Sequence, residues 1–136
     1  ERYDFILMDS PAGLGEGFRL ACCGADRAVV VSTTDPAALR DAQRTVTLLR
    51  GGLSRIHLVV NRVQPKLLRQ LHTTIDDAMD TAGLPLLGIV PEDPQVLLCA
   101  TREQPLILYA SRGAATAYLN IARRLLGQRV PLMRIR

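Results

Sequence analysis

The sequence predicts an α/β fold in which helices cover both faces of a doubly wound, mostly parallel sheet. Short apolar runs of strand length alternate with amphipathic stretches of helical spacing. The apolar runs are nearly continuous, which is typical of parallel strands that are buried on both faces. A length of 136 residues suits a single domain, and 48% apolar residues are enough for a core.

Five apolar runs are predicted to be strands, and three stretches are predicted to be helices. The strands are residues 5–8, 28–31, 56–60, 86–90 and 105–108. The helices are indicated by apolar residues at intervals of mostly three or four, namely Leu39, Ala42, Val46 and Leu49, then Ile75, Met79 and Ala82, and last Tyr118, Ile121, Ala122 and Leu125. A glycine follows each stretch, as is common where a helix ends.

The net charge of +4 comes with 17 basic residues, of which only Lys66 is a lysine. The arginines are scattered, which indicates a solvated surface, and a nucleic-acid or membrane patch is the alternative. No apolar run approaches the roughly 20 residues of a membrane span, and no signal peptide is recognisable. Cys22, Cys23 and Cys99 form no C-x-x-C pair, so we expect them to be reduced and buried in a cytoplasmic protein.

Polar residues and glycines follow four of the predicted strands. The segments are residues 9–13, 32–35, 61–62 and 91–93. Because the carboxyl ends of parallel strands meet at one edge of a sheet, these segments should lie near one another. Open α/β sheets bind their ligands at that edge. The sequence therefore predicts a ligand site built from these four segments.

Asp9 closes the first predicted strand, and a carboxylate in that place must be hydrated, paired or close to a cation. In nucleotide hydrolases such an aspartate holds Mg²⁺, usually through a water molecule. The alternative is a helix N-cap or a turn residue. Gly13 favours the magnesium interpretation, because a glycine permits a backbone N–H to approach a phosphate closely.

Three segments stand out as motifs, namely YDFILMDSPAG at residues 3–13, NRV at 61–63 and PLLGIVPED at 85–93. The first resembles the Walker B and switch II region of the MinD/ParA family of deviant Walker A ATPases, and the other two resemble its two base-binding segments. Residues 24–31, 39–42 and 117–127 match further elements, so that the resemblance covers nearly the whole chain. The resemblance implies a P-loop NTPase fold without its N-terminal P-loop strand and helix, with residues 1–136 as the C-terminal part of one ATPase domain.

The resemblance implies ATP and Mg²⁺ as cofactors and assigns roles around the phosphates. Asp9 corresponds to the catalytic residue that positions the water shell of Mg²⁺. Gly13 corresponds to the switch II residue that senses the γ-phosphate. Both assignments place the reacting end of the nucleotide beside residues 9–13.

The resemblance assigns the adenine end of the site to two other strand ends. Asn61, with Arg62 beside it, corresponds to the position that hydrogen-bonds the adenine edge, for which a carboxamide has both donor and acceptor. Pro91, Glu92 and Asp93 correspond to the segment that lies against the base. Without the family, the alternatives are that Asn61 is a turn residue capping the strand, and that Glu92 and Asp93 form a solvated loop before a helix that starts at Pro94.

Partners are also implied by the resemblance. Arg40 and Asp41 lie on the predicted exposed face of a helix that in the family contacts a division inhibitor and its activator, and an ordinary exposed charge pair is the alternative. The family dimerises when ATP is bound, positions the cell-division septum, and reaches the inner face of the cell membrane through a C-terminal amphipathic helix that is not seen here. We expect no specific nucleic acid.

A phosphate-binding loop ends in Gly-Lys-Ser/Thr, and this chain has no such segment because Pro65 and Leu67 flank Lys66. The chain begins at Glu1 with strand-like sequence after it, so we expect an N-terminal truncation. We also expect that residues 131–136 stop before a membrane helix could form. The chain alone should therefore not hydrolyse ATP, and it should fold poorly because strand edges are left unpaired.

Two other functions remain open at this point. One is a ParA-like ATPase for DNA partition or flagellar placement, which would use the same chemistry on a different cargo. The other is a non-enzymatic α/β binding module that acts through its surface. A phosphate-binding loop encoded upstream of Glu1 would exclude the module.

Overall fold

The computed structural model describes residues 2–11 and 13–133. Ala12, which belongs to the Walker B-like segment, lies outside the described residues. Residues 134–136, to which part of the prediction about the chain's end refers, also lie outside them.

Three parallel strands form the sheet, in the order β1 (Ala28–Ser32), β2 (Ile56–Val63) and β3 (Leu86–Pro91). The described helices are α1 (Glu16–Cys23), α2 (Pro36–Leu49), α3 (Pro65–Leu71), α4 (Ile75–Ala82), α5 (Pro94–Thr101), α6 (Leu106–Tyr109) and α7 (Ala114–Leu125). The α/β fold class with a parallel sheet and helices on both faces is confirmed.

Helices α2 and α4 cover one face of the sheet. The four residues predicted to form the apolar face of α2 are all buried, and they pack with Leu58, Val60 and Val63 of β2. Helix α4 begins at Thr74, whose hydroxyl accepts from the Asp77 amide in a capping box, and ends at Gly83 with φ +66°. The helical spacing of aliphatic residues was therefore sufficient to predict this layer.

Helix α7 covers the other face of the sheet, over β2 and β3. It approaches closely at Gly88, which is buried, because a side chain there would collide with Ile121. The face predicted for α7 is partly wrong, since Ile121 and Leu125 pack on the core whereas Tyr118 and Ala122 are exposed. The buried residues on its first turns are alanines (Ala114, Ala115, Ala117), which let the helix lie close to the sheet.

The prediction of a strand at residues 5–8 is wrong. This segment has no regular secondary structure, and Phe5, Ile6 and Leu7 are 60%, 78% and 90% exposed. A strand exists only where a neighbouring strand accepts and donates its backbone hydrogen bonds, and within the described residues no strand lies beside this segment. An open cleft separates it from β1.

The prediction of a strand at residues 105–108 is also wrong, because Leu106–Tyr109 forms the short helix α6. Pro105 lies at the N-cap, where its missing N–H costs nothing, and the Ala110 amide donates to the Leu106 carbonyl. Helices α1 and α3 were not predicted, and only the start of α5 at Pro94 was, as an alternative. They are short, with seven or eight residues each, so they carry little periodic signal.

The cysteines are free thiols. Cys99 is buried, as predicted, whereas Cys22 is half-buried and Cys23 is exposed on α1. The prediction of burial is therefore wrong for Cys23. Within the described part of the chain, every helix is too short or too polar to cross a membrane.

One edge of the sheet carries an unusual amount of exposed apolar surface. Val29 and Val31 of β1 are 39% and 60% exposed on the same face of the sheet as α7, which does not extend over β1, and residues 5–8 lie across the cleft from them. Within the described residues β1 pairs only with β2, so its outer backbone groups have no strand partner. Such an edge favours pairing with another chain.

We expect the isolated chain to self-associate through this edge and to unfold without a sharp transition. Sedimentation velocity should show species larger than a monomer. Val31→Lys should reduce them, because a charge on the edge opposes strand pairing. Leu48→Lys is the matched control, since Leu48 is 53% exposed on α2 and does not line the cleft. A monomer with one sharp melting transition would contradict this expectation.

Candidate functional site

An open cleft of about 1520 Å³ lies between residues 3–11 and Gly13 on one side and the outer edge of β1 on the other. Helix α1 contributes Phe18 and Cys22 to its wall, and α2 contributes Asp41 and Ala42. Gly13 and Asn61, which lie 48 positions apart in the sequence, both line it. The structure therefore brings together the two residues predicted for opposite ends of a nucleotide.

Gly13 has φ +88°, a left-handed conformation that side chains rarely adopt. No atom lies within 4 Å of the place where a Cβ would stand, so one side of its backbone faces open space. A ligand could therefore approach this backbone closely. The requirement for glycine here is conformational.

Asp9 is exposed in the loop before Gly13. Its neighbours Met8 and Ser10 line the cleft, whereas Asp9 itself does not. The alternative that Asp9 is a helix N-cap is wrong, because α1 begins at Glu16 and its N-cap is Gly15. The described residues contain no cluster of three potential metal ligands, so Asp9 could hold a hydrated cation but not a dehydrated one by itself.

The end of β2 is irregular at Asn61 and Arg62. Val60 pairs with Ile89 and Val63 with Pro91, so two residues of β2 stand opposite the single residue Val90 of β3. This is a β-bulge, and Arg62 within it has φ +54°. The Asn61 Oδ1 accepts from the Arg62 amide at 2.9 Å.

Glu92, which follows β3 directly, contacts this bulge. The Arg62 Nε donates to the Glu92 Oε2 at 2.8 Å, and the Glu92 amide donates to the Val63 carbonyl at 3.0 Å. Glu92 lies exposed in the segment between β3 and α5, which agrees with the alternative of a solvated loop, and the pair is accessible to water, with side chains 67% and 37% exposed. Neither Arg62 nor Glu92 lines the large cleft.

Asp93 joins the first turns of two helices. Its Oδ1 accepts from the Gln95 amide of α5 at 3.0 Å, and its Oδ2 accepts from the Ala114 amide of α7 at 3.0 Å. Pro94 occupies the first helical position, as predicted. Gly113 has φ +59°, and any side chain there would collide with the Asp93 carboxylate. Both carboxylate oxygens of Asp93 are thus engaged in positioning backbone.

Arg40 and Asp41 are both exposed on α2, as predicted, but they face different hollows. Asp41 lines the large cleft and lies 3.4 Å from the Arg44 guanidinium. Arg40 borders a smaller hollow of about 290 Å³ between α2 and α4, whose rim carries the hydroxyls of Thr34, Thr73, Thr74 and Thr81.

Two structural residues of the site could not be named from the motifs. Asp35 caps α2 by accepting from the Ala37 and Ala38 amides, and the Asp-Pro dipeptide was the signal that could have revealed it. Gly113 could not have been found, because its need for glycine comes from the distant Asp93. His57 lies in β2, as predicted, and His72 ends α3 in a left-handed conformation.

The two Asp-Pro caps predict different consequences for Asp35→Ala and Asp93→Ala. Loss of an N-cap costs roughly 1 kcal/mol. Asp35→Ala should accelerate hydrogen exchange in the first turn of α2 only, whereas Asp93→Ala should do so in both α5 and α7. Asp93→Asn should retain one of the two caps. Exchange measured by NMR or mass spectrometry checks this, and an Asp93→Ala effect confined to α5 would contradict the bridging role.

Relatives of known name are similar to this chain over nearly its whole length. The septum site-determining protein MinD of Bacillus subtilis is 38% identical over 135 residues, which cover 97% of this chain and 50% of that protein. MinD of Synechocystis is 36% identical over 137 residues, which cover 98% of this chain and 51% of that protein. No protein-family model matches this chain.

Solved structures agree with the relatives. The MinC:MinD cell division protein complex of Aquifex aeolicus superimposes with a TM-score of 0.91 at 34% identity, over 97% of this chain and 55% of that one. MinD of Pyrococcus horikoshii, complexed with Mg-ADP, has a TM-score of 0.78 at 28% identity, over 91% of this chain and 51% of that one.

This chain spans about half the length of the relatives that it matches. The names of these proteins do not favour the partition ATPase or the binding module as alternatives. The resemblance stated from the sequence motifs is confirmed, and the chain corresponds in sequence and fold to the C-terminal part of a MinD-type protein of the MinD/ParA family.

Proposed function

We propose that this chain is the C-terminal part of an ATP-dependent dimerising switch ATPase that positions the cell-division septum. The observation that carries the proposal is the cleft beside β1, because Gly13 and Asn61 both line it. The relatives named above are septum site-determining proteins, and one of them was solved in complex with Mg-ADP. The intact protein would be an ATP hydrolase, and residues 1–136 would form part of its single ATPase domain.

The residues of this chain fit Mg²⁺–ATP at the phosphate end. The open side of the Gly13 backbone can face a phosphate, and the exposed Asp9 carboxylate can hold the water shell of Mg²⁺. When bound, Mg²⁺–ATP supplies the phosphoryl group and the cation that balances its charge. Gly13 would respond to the γ-phosphate through its backbone, because it carries no side chain.

The base end of the cleft also fits. Asn61 is half-buried, and within the described residues its carboxamide NH₂ donates to no protein acceptor. Its Oδ1 retains a lone pair beyond the bond from the Arg62 amide, so the group can both donate to adenine and accept from it. Pro91 ends the neighbouring strand at the same edge, with Glu92 and Asp93 after it, and although none of the three lines the cleft, Pro91 would be an apolar neighbour for the base.

The phosphate-binding loop would come from residues outside this chain. Strand β1 has no partner on its outer edge among the described residues, and apolar side chains line both walls of the cleft there. A parallel strand inserted in the cleft would pair with β1 and cover Val29 and Val31. Its carboxyl end would then reach the same edge of the sheet as Asn61, and the phosphate-binding loop would follow at that edge.

The switch would act through partners. We propose that the ATP-bound form is a homodimer that binds a division inhibitor of the Min type through the exposed surface around Arg40 and Asp41 on α2. The complex that MinD of Aquifex aeolicus forms with MinC supports a partner of this type. An activator protein would use the same surface. The protein would be cytoplasmic and would attach to the inner face of the cell membrane through a helix beyond this chain.

The coding sequence upstream of Glu1 tests the proposal first, since it should encode a Gly-Lys-Gly-Gly-type loop. We call this chain together with that upstream part the extended protein. The extended protein should hydrolyse Mg²⁺–ATP, whereas residues 1–136 alone should not. An upstream sequence without such a loop, or an extended protein that binds no ATP, would overturn the proposal.

Asp9→Asn in the extended protein should lower kcat by about tenfold or more, the range seen when residues that orient a metal's ligands are removed. The reason is that a neutral amide holds the water shell of Mg²⁺ less well than a carboxylate does. Asp80→Asn is the control, because Asp80 is exposed on α4 and outside the cleft. Equal rates for Asp9→Asn and the unmodified protein would contradict the role of Asp9.

The partner surface predicts that Arg40→Ala and Asp41→Ala weaken binding of the division inhibitor while ATP still binds. Each exposed charge at the rim of an interface should change the affinity by a fewfold. Arg123→Ala is the control, since Arg123 is exposed on α7, on the opposite side of the sheet. Pull-down or interferometry with the inhibitor checks this, and an unchanged affinity for both variants would move the interface elsewhere.

A further inference from the structure

The bulge at the end of β2 changes which way its residues point. In a regular strand, residues at odd spacing lie on opposite faces. Val60 and Val63 are separated by three positions, yet both pack in the core under α2 and α4. The bulge therefore shifts the alternation by one residue, and it frees Asn61 and Arg62 from the two packed faces.

The backbone conformation of this bulge is energetically unfavourable for Arg62. Arg62 has φ +54°, and a left-handed conformation costs a residue with a side chain roughly 1–2 kcal/mol. Bulges in parallel pairs are rare, and bulges are over-represented next to active sites, where they redirect a side chain. Burial of Val63, which is 1% exposed, offsets the cost by keeping the strand end in the core.

Three contacts hold the bulge in one geometry. The Arg62 side chain reaches Glu92 just after β3, the Glu92 amide donates to the Val63 carbonyl, and the Arg62 amide donates to the Asn61 carboxamide oxygen. The last contact fixes the Asn61 side chain directly. Because Arg62 and Glu92 do not line the cleft whereas Asn61 does, the pair touches the site only through Asn61.

We infer that Arg62 and Glu92 are positioning residues that set the preference for adenine over guanine by orienting the Asn61 carboxamide. The inference rests on the proposed function and adds to it a cause for base selectivity. Adenine and guanine present opposite donor and acceptor patterns at their six-membered rings. Discrimination between adenine and guanine therefore depends more on how tightly the Asn61 carboxamide is held in one orientation than on the presence of Asn61 alone.

A double-mutant cycle in the extended protein tests this inference. Arg62→Gly removes the side chain and tolerates the left-handed backbone, whereas Glu92→Gln leaves the backbone and removes the charge. Each should lower the ratio of GTP to ATP dissociation constants by about two- to fivefold, the range for an accessible ion pair. The double variant should show the same loss as either single one, because all three lack the same contact.

The control is Arg123→Ala, which removes an exposed charge on α7 that does not line the cleft. It should leave the ratio unchanged. An unchanged ratio in both Arg62→Gly and Glu92→Gln would overturn the inference. Additive losses would also overturn it, because Arg62 would then contact the nucleotide independently of Glu92. If Arg62→Gly fails to fold by circular dichroism, Glu92→Gln decides alone, since that side chain is exposed.

Asn61→Ala distinguishes failure of the inference from failure of the proposed function. If Asn61→Ala abolishes the preference for ATP while the other two variants retain it, Asn61 contacts the base and the positioning role is wrong. If the extended protein has no preference for ATP and Asn61→Ala changes nothing, the assignment of the base site itself is wrong.

Discussion

The parallel hydrogen-bonded register of β1, β2 and β3 is the constraint on which the rest of the structure depends. It aligns the carboxyl ends of the strands, so that Asn61 and Pro91 meet at one edge although 30 positions separate them in the sequence. Each strand end then positions the element that follows it, through Asp35 for α2 and Asp93 for α5 and α7. The candidate site is therefore formed by several strand ends of the sheet rather than by one loop.

Among the described residues, strand pairing stops at the outer edge of β1. Its inner edge bonds to β2 along its whole length, whereas its outer edge faces a cleft with apolar side chains on both walls. Buried apolar surface stabilises a sheet only where a second layer or strand covers it. The half of the sheet under α2, α4 and α7 meets that condition, and the half beside residues 3–13 does not. This asymmetry agrees with a chain that spans about half of its relatives.

Local sequence was sufficient where local physics decides the structure. The runs at residues 28–31, 56–60 and 86–90 became strands because each is aliphatic and has a neighbour to pair with. The run at 5–8 is equally apolar but has no neighbour among the described residues, and the run at 105–108 forms a helix after Pro105. Strand pairing is not a local property, so periodicity alone could not separate these cases.

Some residues of the candidate site could likewise be predicted from the sequence, and others could not. Gly13 and Asn61 were found through motifs, and the structure brings both to one cleft. The motifs gave no sign of the bulge at Arg62, of its bond to Glu92, or of the double cap at Asp93, because each depends on a residue from another strand or helix. Sequence could thus name residues near a ligand but could not separate those that touch it from those that position others.

Gly13 and Asn61 are proposed to face the same nucleotide. Paramagnetic broadening of amide signals in the extended protein, with Mn²⁺–ATP in place of Mg²⁺–ATP, measures this most directly because the effect falls steeply with distance from the metal. We predict strong broadening at Gly13, weaker broadening at Asn61, and none at Arg123. Broadening at only one of Gly13 and Asn61, or equal broadening at Arg123, would contradict the claim.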